Sequence, residues 1–286
     1  MKKIQFIPLL LFLAFILSSC EKSVEEPARI LLGKAQTLYE AGNYNSAKQT
    51  IDSMGISFPK AYKTRREGEI LRRQIMLDEK QRDVAYFTAL YDSLAVQRDN
   101  MVKSFTLNKI SKYQDEGFYF VPSQAMGANP FNTFLRAIVK ESGDAYLISL
   151  YRGTKIGHNT VKVSSGDSFV ICDNPLLSRS YKEYGVYNER RDYKYGNDGG
   201  VMDFIATADG PIKVELLGGN EKYRYTLRNE DAIAVRQILE LSNLLKAVHE
   251  TSAMRDEAQR ALDFLLKSQE RSKQLEEKEI QNKIKP

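Results

Sequence analysis

The sequence predicts an α+β multi-domain chain: an N-terminal helical hairpin, then two long antiparallel coiled-coil helices flanking an inserted all-β domain, sandwich or barrel-like. Three observations carry this expectation. Residues 61–114 contain no proline and one glycine, Gly68, and residues 230–283 contain neither. The segment between them, 117–228, holds 13 of the 17 glycines. Hydrophobic residues recur in steps of three and four in the outer blocks and alternate in the middle one, which separates helix from strand. The 286 residues suffice for two or three domains.

The first element is a leader. Lys2 and Lys3 precede an apolar run from Ile4 to Leu17, interrupted only by Gln5 and Pro8, and then come Ser18, Ser19 and Cys20. Residues 1–19 have the layout of an export signal and are too short for a stable spanning helix. Leu17-Ser18-Ser19-Cys20 resembles the lipobox of bacterial lipoproteins. That resemblance implies that Cys20 is acylated and that 20–26 form a lipidated tether, with membrane lipid as the first partner. The competing reading is a secreted protein whose Cys20 merely neighbours a cleavage site. With Cys20 acylated, Cys172 has no partner in the chain and no disulfide framework can form. Each buried methylene of the anchor contributes roughly 0.8 kcal/mol. Glu21, Lys22, Glu25 and Glu26 resemble the charged leaders that direct Bacteroidetes-type lipoproteins to the outer membrane, so a lipid-anchored outer-membrane location is expected.

Residues 27–60 read as two amphipathic helices. Ile30, Leu31, Ala35, Leu38 and Tyr39 form one stripe, Gly42-Asn43 a turn, and Tyr44, Ala47, Ile51 and Met54 a second stripe. Pro27 is placed in a first helical turn and Pro59 as a stop. Ala35, Leu38, Gly42, Tyr44, Ala47, Ile51 and Pro59 resemble one tetratricopeptide unit, with Lys34 and Met54 departing from that pattern. A lone unit must bury its faces on something else in the chain.

Residues 61–116 are expected as a long helix, coiled-coil arm 1, with a seam of Leu77, Val84, Phe87, Tyr91, Leu94, Met101 and Phe105. Residues 229–286 are its counterpart, arm 2: Ile238, Leu241, Leu245 and Val248 start a seam that resumes at Ala258, Leu262 and Leu265. Ser252, Arg255 and Gln259 interrupt it and mark a place where the helix could break. Two such helices pair most simply antiparallel, and the seams also offer a route to a homo-oligomer.

In 117–228 the strand candidates are FYFVP at 118, FLRAIVKE at 134, AYLISLYRG at 145, NTVKVSS at 159, DSFVICD at 168, VMDFIATA at 201, PIKVELLG at 211 and KYRYTLR at 222. Turn signals separate them, among them Ser165-Gly166-Asp167 and Gly218-Gly219-Asn220. Short strands at this spacing point to an antiparallel sandwich or barrel.

Candidate chemistry is sparse. The two histidines are His158, in the loop KIGHNT and expected at the surface, and His249 on the C-terminal helix. No phosphate loop, nucleophile elbow or paired metal-ligand motif is visible, so no enzyme, cofactor or metal site is expected. Cys172 reads as a small hydrophobe in a strand. Asn197, Asp198 and Asp203 make a weak calcium loop and read better as a turn feeding the next strand. Losing Lys2 and Lys3 with the leader lowers the formal charge from +5 to +3, too small an excess for nucleic-acid binding. The segment 180–196 interleaves five tyrosines with basic residues. Tyr181, Tyr184, Tyr187, Arg190, Arg191, Tyr193 and Tyr195 are therefore the candidate contacts for an envelope protein or glycan, because tyrosine supplies large, rigid, amphipathic surface. The alternative is a hairpin whose tyrosines lie over the sheet. The expected function is a non-enzymatic binding or scaffold lipoprotein, with carbohydrate binding through the tyrosine-rich loop as the alternative.

Overall fold

The computed structural model of the chain describes residues 22–110, 112–126 and 133–284. Cys20 and the leader lie outside the described residues. The architecture is mixed α+β: N-terminal helices, an antiparallel β region of two sheets, and a long C-terminal helix. The chain divides into two compact units, one formed by residues up to Thr88 together with those from Met254, the other by Ala89–Ala253.

In the first unit, α1 (Lys22–Glu40) and α2 (Tyr44–Ser57) form the expected hairpin about Gly42, whose φ of 76° suits a residue without a Cβ. Ala28, Ala35, Ala47 and Ala61 are fully buried beside Ile51, Met54 and Ile75, and these small side chains let the helices approach closely. The third helix, α3 (Tyr62–Met101), joins this core through Gly68, where a Cβ would stand 2.6 Å from Met54 Cε. The chain is helical from Lys22, so Pro27 stands inside α1 and not in its first turn. Val24 extends the apolar stripe backward. Glu25 accepts the Thr64 hydroxyl and, at 3.2 and 3.3 Å, the backbone N–H groups of Thr64 and Lys63, which fixes that first turn against the start of α3. Lys48 pairs with Glu79 at 2.7 Å, and Tyr39 donates to Asp78.

Arm 1 is shorter than expected. Helix α3 ends at Met101, a 3-10 turn covers Val102–Ser104, and Thr106–Asn108 is strand β1. Phe105, expected in the helical seam, therefore stands outside the helix. The reason is tertiary: β1 finds a partner in β2 (Phe118–Phe120), and ladder pairing overrides a segment that merely lacks helix breakers. The last helix, α5 (Asn229–Ile284), runs unbroken through Ser252, Arg255 and Gln259, so the polar interruption does not stop it. Among the described residues no helix is long and apolar enough to cross a membrane.

In the second unit the strands β3 (Phe134–Lys140), β4 (Ala145–Gly153), β7 (Leu177–Glu183) and β8 (Val186–Lys194) extend β1 and β2 into a six-stranded sheet ordered β1-β2-β3-β4-β8-β7. The second sheet, ordered β10-β9-β5-β6, contains β5 (Thr160–Ser165), β6 (Ser168–Cys172), β9 (Lys213–Gly218) and β10 (Glu221–Thr226). One core takes Leu135, Leu147 and Tyr193 from the first sheet and Val161, Val163, Val214 and Leu216 from the second. Ile238, Leu241 and Leu245 of α5 complete it. Cys172 is a free thiol buried in the same core, and desolvation pushes it up to about 11.

The segment VMDFIATA, expected as a strand, is helix α4 (Val201–Thr207). The carboxylate of Asp198 accepts the N–H groups of Gly196 at 3.2 Å and Met202 at 2.8 Å, so it caps the turn and starts the helix. Val201, Met202 and Ile205 then bury one face at helical spacing. Asn197, Asp198 and Asp203 thus serve a turn that feeds a helix, and no cluster of three metal-ligating side chains occurs among the described residues.

Candidate functional site

A strand alternates its side chains between two faces, and here the alternation decides which residues can meet a ligand. The register pairs Phe134 with Leu150, Arg136 with Ile148, Leu150 with Arg190, Arg152 with Asn188, and Arg179 with Arg190. All of these share the face of the six-stranded sheet that turns away from the main core. Phe120, Ile138 and Ile148 form a second small apolar cluster there, with Phe118, Tyr146 and Leu150 packed around it. Beside this cluster lies a cavity of about 270 Å3, with Phe134, Ile148 and Leu150 as its floor and Arg136, Arg152, Arg179, Arg190, Asn188 and Tyr181 around them.

Arg190 is held by Asp192 through two bonds of 2.6 and 2.7 Å. Arg136 is only 7% exposed, and its buried Nε has no hydrogen-bond partner. Its guanidinium carbon stands 4.5 Å from the centre of the Phe120 ring and 6.0 Å from that of Phe118, which is cation–π geometry. Burial, and then the charge of Arg190, hold Arg136 below the ordinary arginine range. The Nδ2 of Asn188 is also buried and unpaired. Among the described lining residues the one carboxylate, Glu189, is committed elsewhere.

Glu189 belongs to the opposite face, in a fully buried network with His158 and Ser149. Its Oε2 lies 2.8 Å from His158 Nδ1, and His158 Nε2 lies 3.0 Å from Ser149 Oγ. Three backbone N–H groups also donate to this carboxylate: Ile156 at 3.0 Å, Gly157 at 2.8 Å and His158 at 2.9 Å. Burial lowers His158, outweighing its bond to Glu189. Burial raises Glu189, but the donors of Gly157, His158 and Ile156 together hold it below the usual carboxylate range. A neutral imidazole and an ionised carboxylate follow, with Nδ1–H donating to Glu189 and Nε2 accepting the Ser149 hydroxyl. The spacing is of the Ser-His-acid type used in nucleophilic catalysis. Each member is sealed from solvent, so here the arrangement pins the loop between β4 and β5. The expectation of His158 at the surface is thereby corrected: a buried carboxylate anchored by three N–H groups draws the histidine inward.

A scan against protein-family models, a search of the curated proteins and a search of the solved structures each returned no match to this chain.

The seven candidate contacts from 180–196 do not come together, because the segment forms the β7–β8 hairpin instead of a loop. Tyr181 and Arg190 line the cavity. Tyr193 and Arg191 point into the core, where Tyr193 donates to Asn159 O at 2.8 Å and Arg191 reaches Arg179 O at 2.8 Å and Asn159 Oδ1 at 3.1 Å. Tyr184, at the hairpin tip, is 92% exposed. Tyr187 lies between Lys155 and Lys182, whose ammonium groups are 5.9 and 5.5 Å from its ring. Tyr195 donates to Asp203 at 3.0 Å. Arg136 went unnoticed in the sequence. Its signal was available: a single arginine in FLRAIVK, a strand apolar on both sides of it, is a charge placed where two faces are buried.

Proposed function

We propose that the chain is a membrane-anchored envelope lipoprotein that acts as a non-enzymatic binding or scaffold module. The lipobox-like Leu17-Ser18-Ser19-Cys20 supports acylation of Cys20 and an outer-membrane location. The tetratricopeptide-like hairpin and helices α3 and α5 serve as a stalk, the two helices pairing as coiled-coil arms or meeting those of a second copy. The β region, read as a sandwich, is the head that binds an envelope protein or a glycan. The observation that carries the binding role is the cavity on the outer sheet face, lined by Phe134, Ile148 and Leu150 together with Arg136, Arg190, Asn188 and Tyr181. The carbohydrate reading is favoured at one point, Tyr181, which is 59% exposed at the rim of that cavity. The binding surface is then the outer sheet face, in place of a tyrosine-rich loop.

The anchor is tested by metabolic labelling with a clickable palmitate analogue, comparing the wild-type chain with Cys20→Ser. Label on the first alone, together with its recovery in membranes, is the expected result. Equal labelling of both, or of neither, overturns the anchor.

A further inference from the structure

We infer that the free edge of β7 pairs with the β7 of a second copy, antiparallel and centred on Tyr181, so that two six-stranded sheets join and Arg179 of each copy meets Glu183 of the other. This pairing goes beyond the binding role above and depends on neither the anchor nor a ligand. Strand order, exposure and charge each point to it.

β7 is the last strand of its sheet and pairs on one side only, with β8. Six of its seven residues are exposed, which leaves both of its faces uncovered. An edge strand offers a row of backbone N–H and C=O groups to another strand. Here neither proline nor glycine interrupts that row, and the register with β8 runs without a bulge from Leu177 to Glu183. The other three edges suit a second copy less well. β1 has only three residues, and Gly199 already lies against Ile171 O of β6. Antiparallel self-pairing of β10 about its middle, Tyr223 or Arg224, sets Lys222 against Arg224 or Arg224 against itself, and like charges directly opposite are destabilising.

The charges of β7 are complementary to themselves. Alternation puts Leu177, Arg179, Tyr181 and Glu183 on one face. Arg179 stands directly opposite Arg190 of β8, and both oxygens of Asp192 are taken by Arg190, at 2.6 and 2.7 Å. Among the described residues Arg179 therefore has no carboxylate partner, and Glu183 has no cation. Four positions apart on an extended strand, the two side chains are rooted roughly 13 Å from each other and cannot pair within one chain. A twofold axis at Tyr181 removes both deficits. It sets Arg179 against Glu183 of the partner subunit on each side of the axis, Ser180 against Lys182, and Tyr181 against its own copy as an aromatic pair. No like charges meet, and the interface is isologous, so it closes at two copies. Because Arg179 and Tyr181 line the cavity on the outer face, the second copy also brings its own Tyr181 and Glu183 to the rim.

The test uses the full-length chain, purified in detergent, in two measurements. Oxidation of the Tyr181→Cys chain should give a disulfide-linked dimer, because that position meets itself on the axis, with the wild-type chain as the blank. Monomer alone, or as much dimer in the blank, overturns the proposal. Sedimentation velocity then follows a charge swap. Arg179→Glu and Glu183→Arg each turn two attractive contacts into two repulsive ones and should weaken the dimer by about tenfold, whereas the double variant brings opposite charges together again and should restore it. Restoration is a result that mere damage to the hairpin cannot give. A double variant as weak as the single ones overturns the pairing. A wild-type chain that stays monomeric does so too, and so does a dimer indifferent to all three changes, which would belong to the helices.

Discussion

At the residue scale the most consequential side chain of the core is Glu189, because one carboxylate satisfies three consecutive backbone N–H groups and orients His158. Removing it strands those donors in a dry site. Glu189→Ala should therefore cost about 3–5 kcal/mol, the range found when one partner of a buried charged pair is deleted. Ser149→Ala, which removes only a hydroxyl that donates to His158, should cost about 1 kcal/mol. Chemical denaturation separates the two, and equal losses would mean that the loop is held by something other than the carboxylate. The pH dependence follows from the direction of the His158 shift. Its folded value lies below the ordinary one near 6.5, so the unfolded chain binds the proton more readily. Stability from this site is complete above about pH 6.5 and falls as the pH drops from there through the folded value. Comparison of denaturation midpoints at pH 7 and 5.5 should show a drop in the wild type that His158→Asn reduces. An undiminished drop in the variant would remove His158 as its cause.

At the scale of elements, the β7–β8 hairpin closes through Tyr184 and Gly185, both with positive φ, 48° and 81°. That is the requirement of a type I′ turn, for which Asn-Gly is the favoured pair, and a bulky residue at the first position is strained. Tyr184→Asn should stabilise the chain by about 0.5–1 kcal/mol through this turn alone, and chemical denaturation would show it. Gly218, at the end of β9, shows the opposite case. Its position is set by space, since a Cβ would lie 2.3 Å from Ile156 O and 2.5 Å from Gly157 C. Both contacts are backbone atoms of the loop that Glu189 pins, so neither can swing aside. Gly218→Ala should cost about 1–3 kcal/mol, the usual penalty of overpacking, and thermal unfolding would show it. A neutral outcome would imply that the loop is free to shift and is not pinned.

At the scale of the molecule, the hairpin of helices, the strand-rich middle and the C-terminal helix were legible because each rests on local signals: apolar spacing, glycine turns, and the lack of breakers. What was not legible depended on partners distant in sequence. The end of arm 1 at Met101 is decided by the pairing of β1 with β2. Gln124 is another example. Its side chain accepts from Ala137 N at 3.0 Å and donates to Leu135 O at 2.9 Å, standing in for a neighbouring strand beside β3, and it also donates to Asp231 of α5 at 3.1 Å. The candidate site divides in the same way. A segment rich in tyrosine and arginine was visible, yet alternation along β8 sent Arg191 and Tyr193 inward and left Arg190 on the cavity side. If the proposed anchor holds and the β region lies on the outer surface, protease treatment of whole cells should remove the β region while leaving the labelled N-terminal residues in the membrane. Complete protection would place the β region on the periplasmic side.

By itself the sequence determined the N-terminal helical hairpin, the strand-rich middle and the long C-terminal helix, and where most hairpins turn, since backbone preference and hydrophobic period act over a few residues. Only the tertiary structure decided that Arg136 Nε is buried without an acceptor, that His158 lies in the core against Glu189, and which arginines share one face. Burial and the absence of a partner are properties of what surrounds a residue, and for these side chains the surroundings come from strands many positions away.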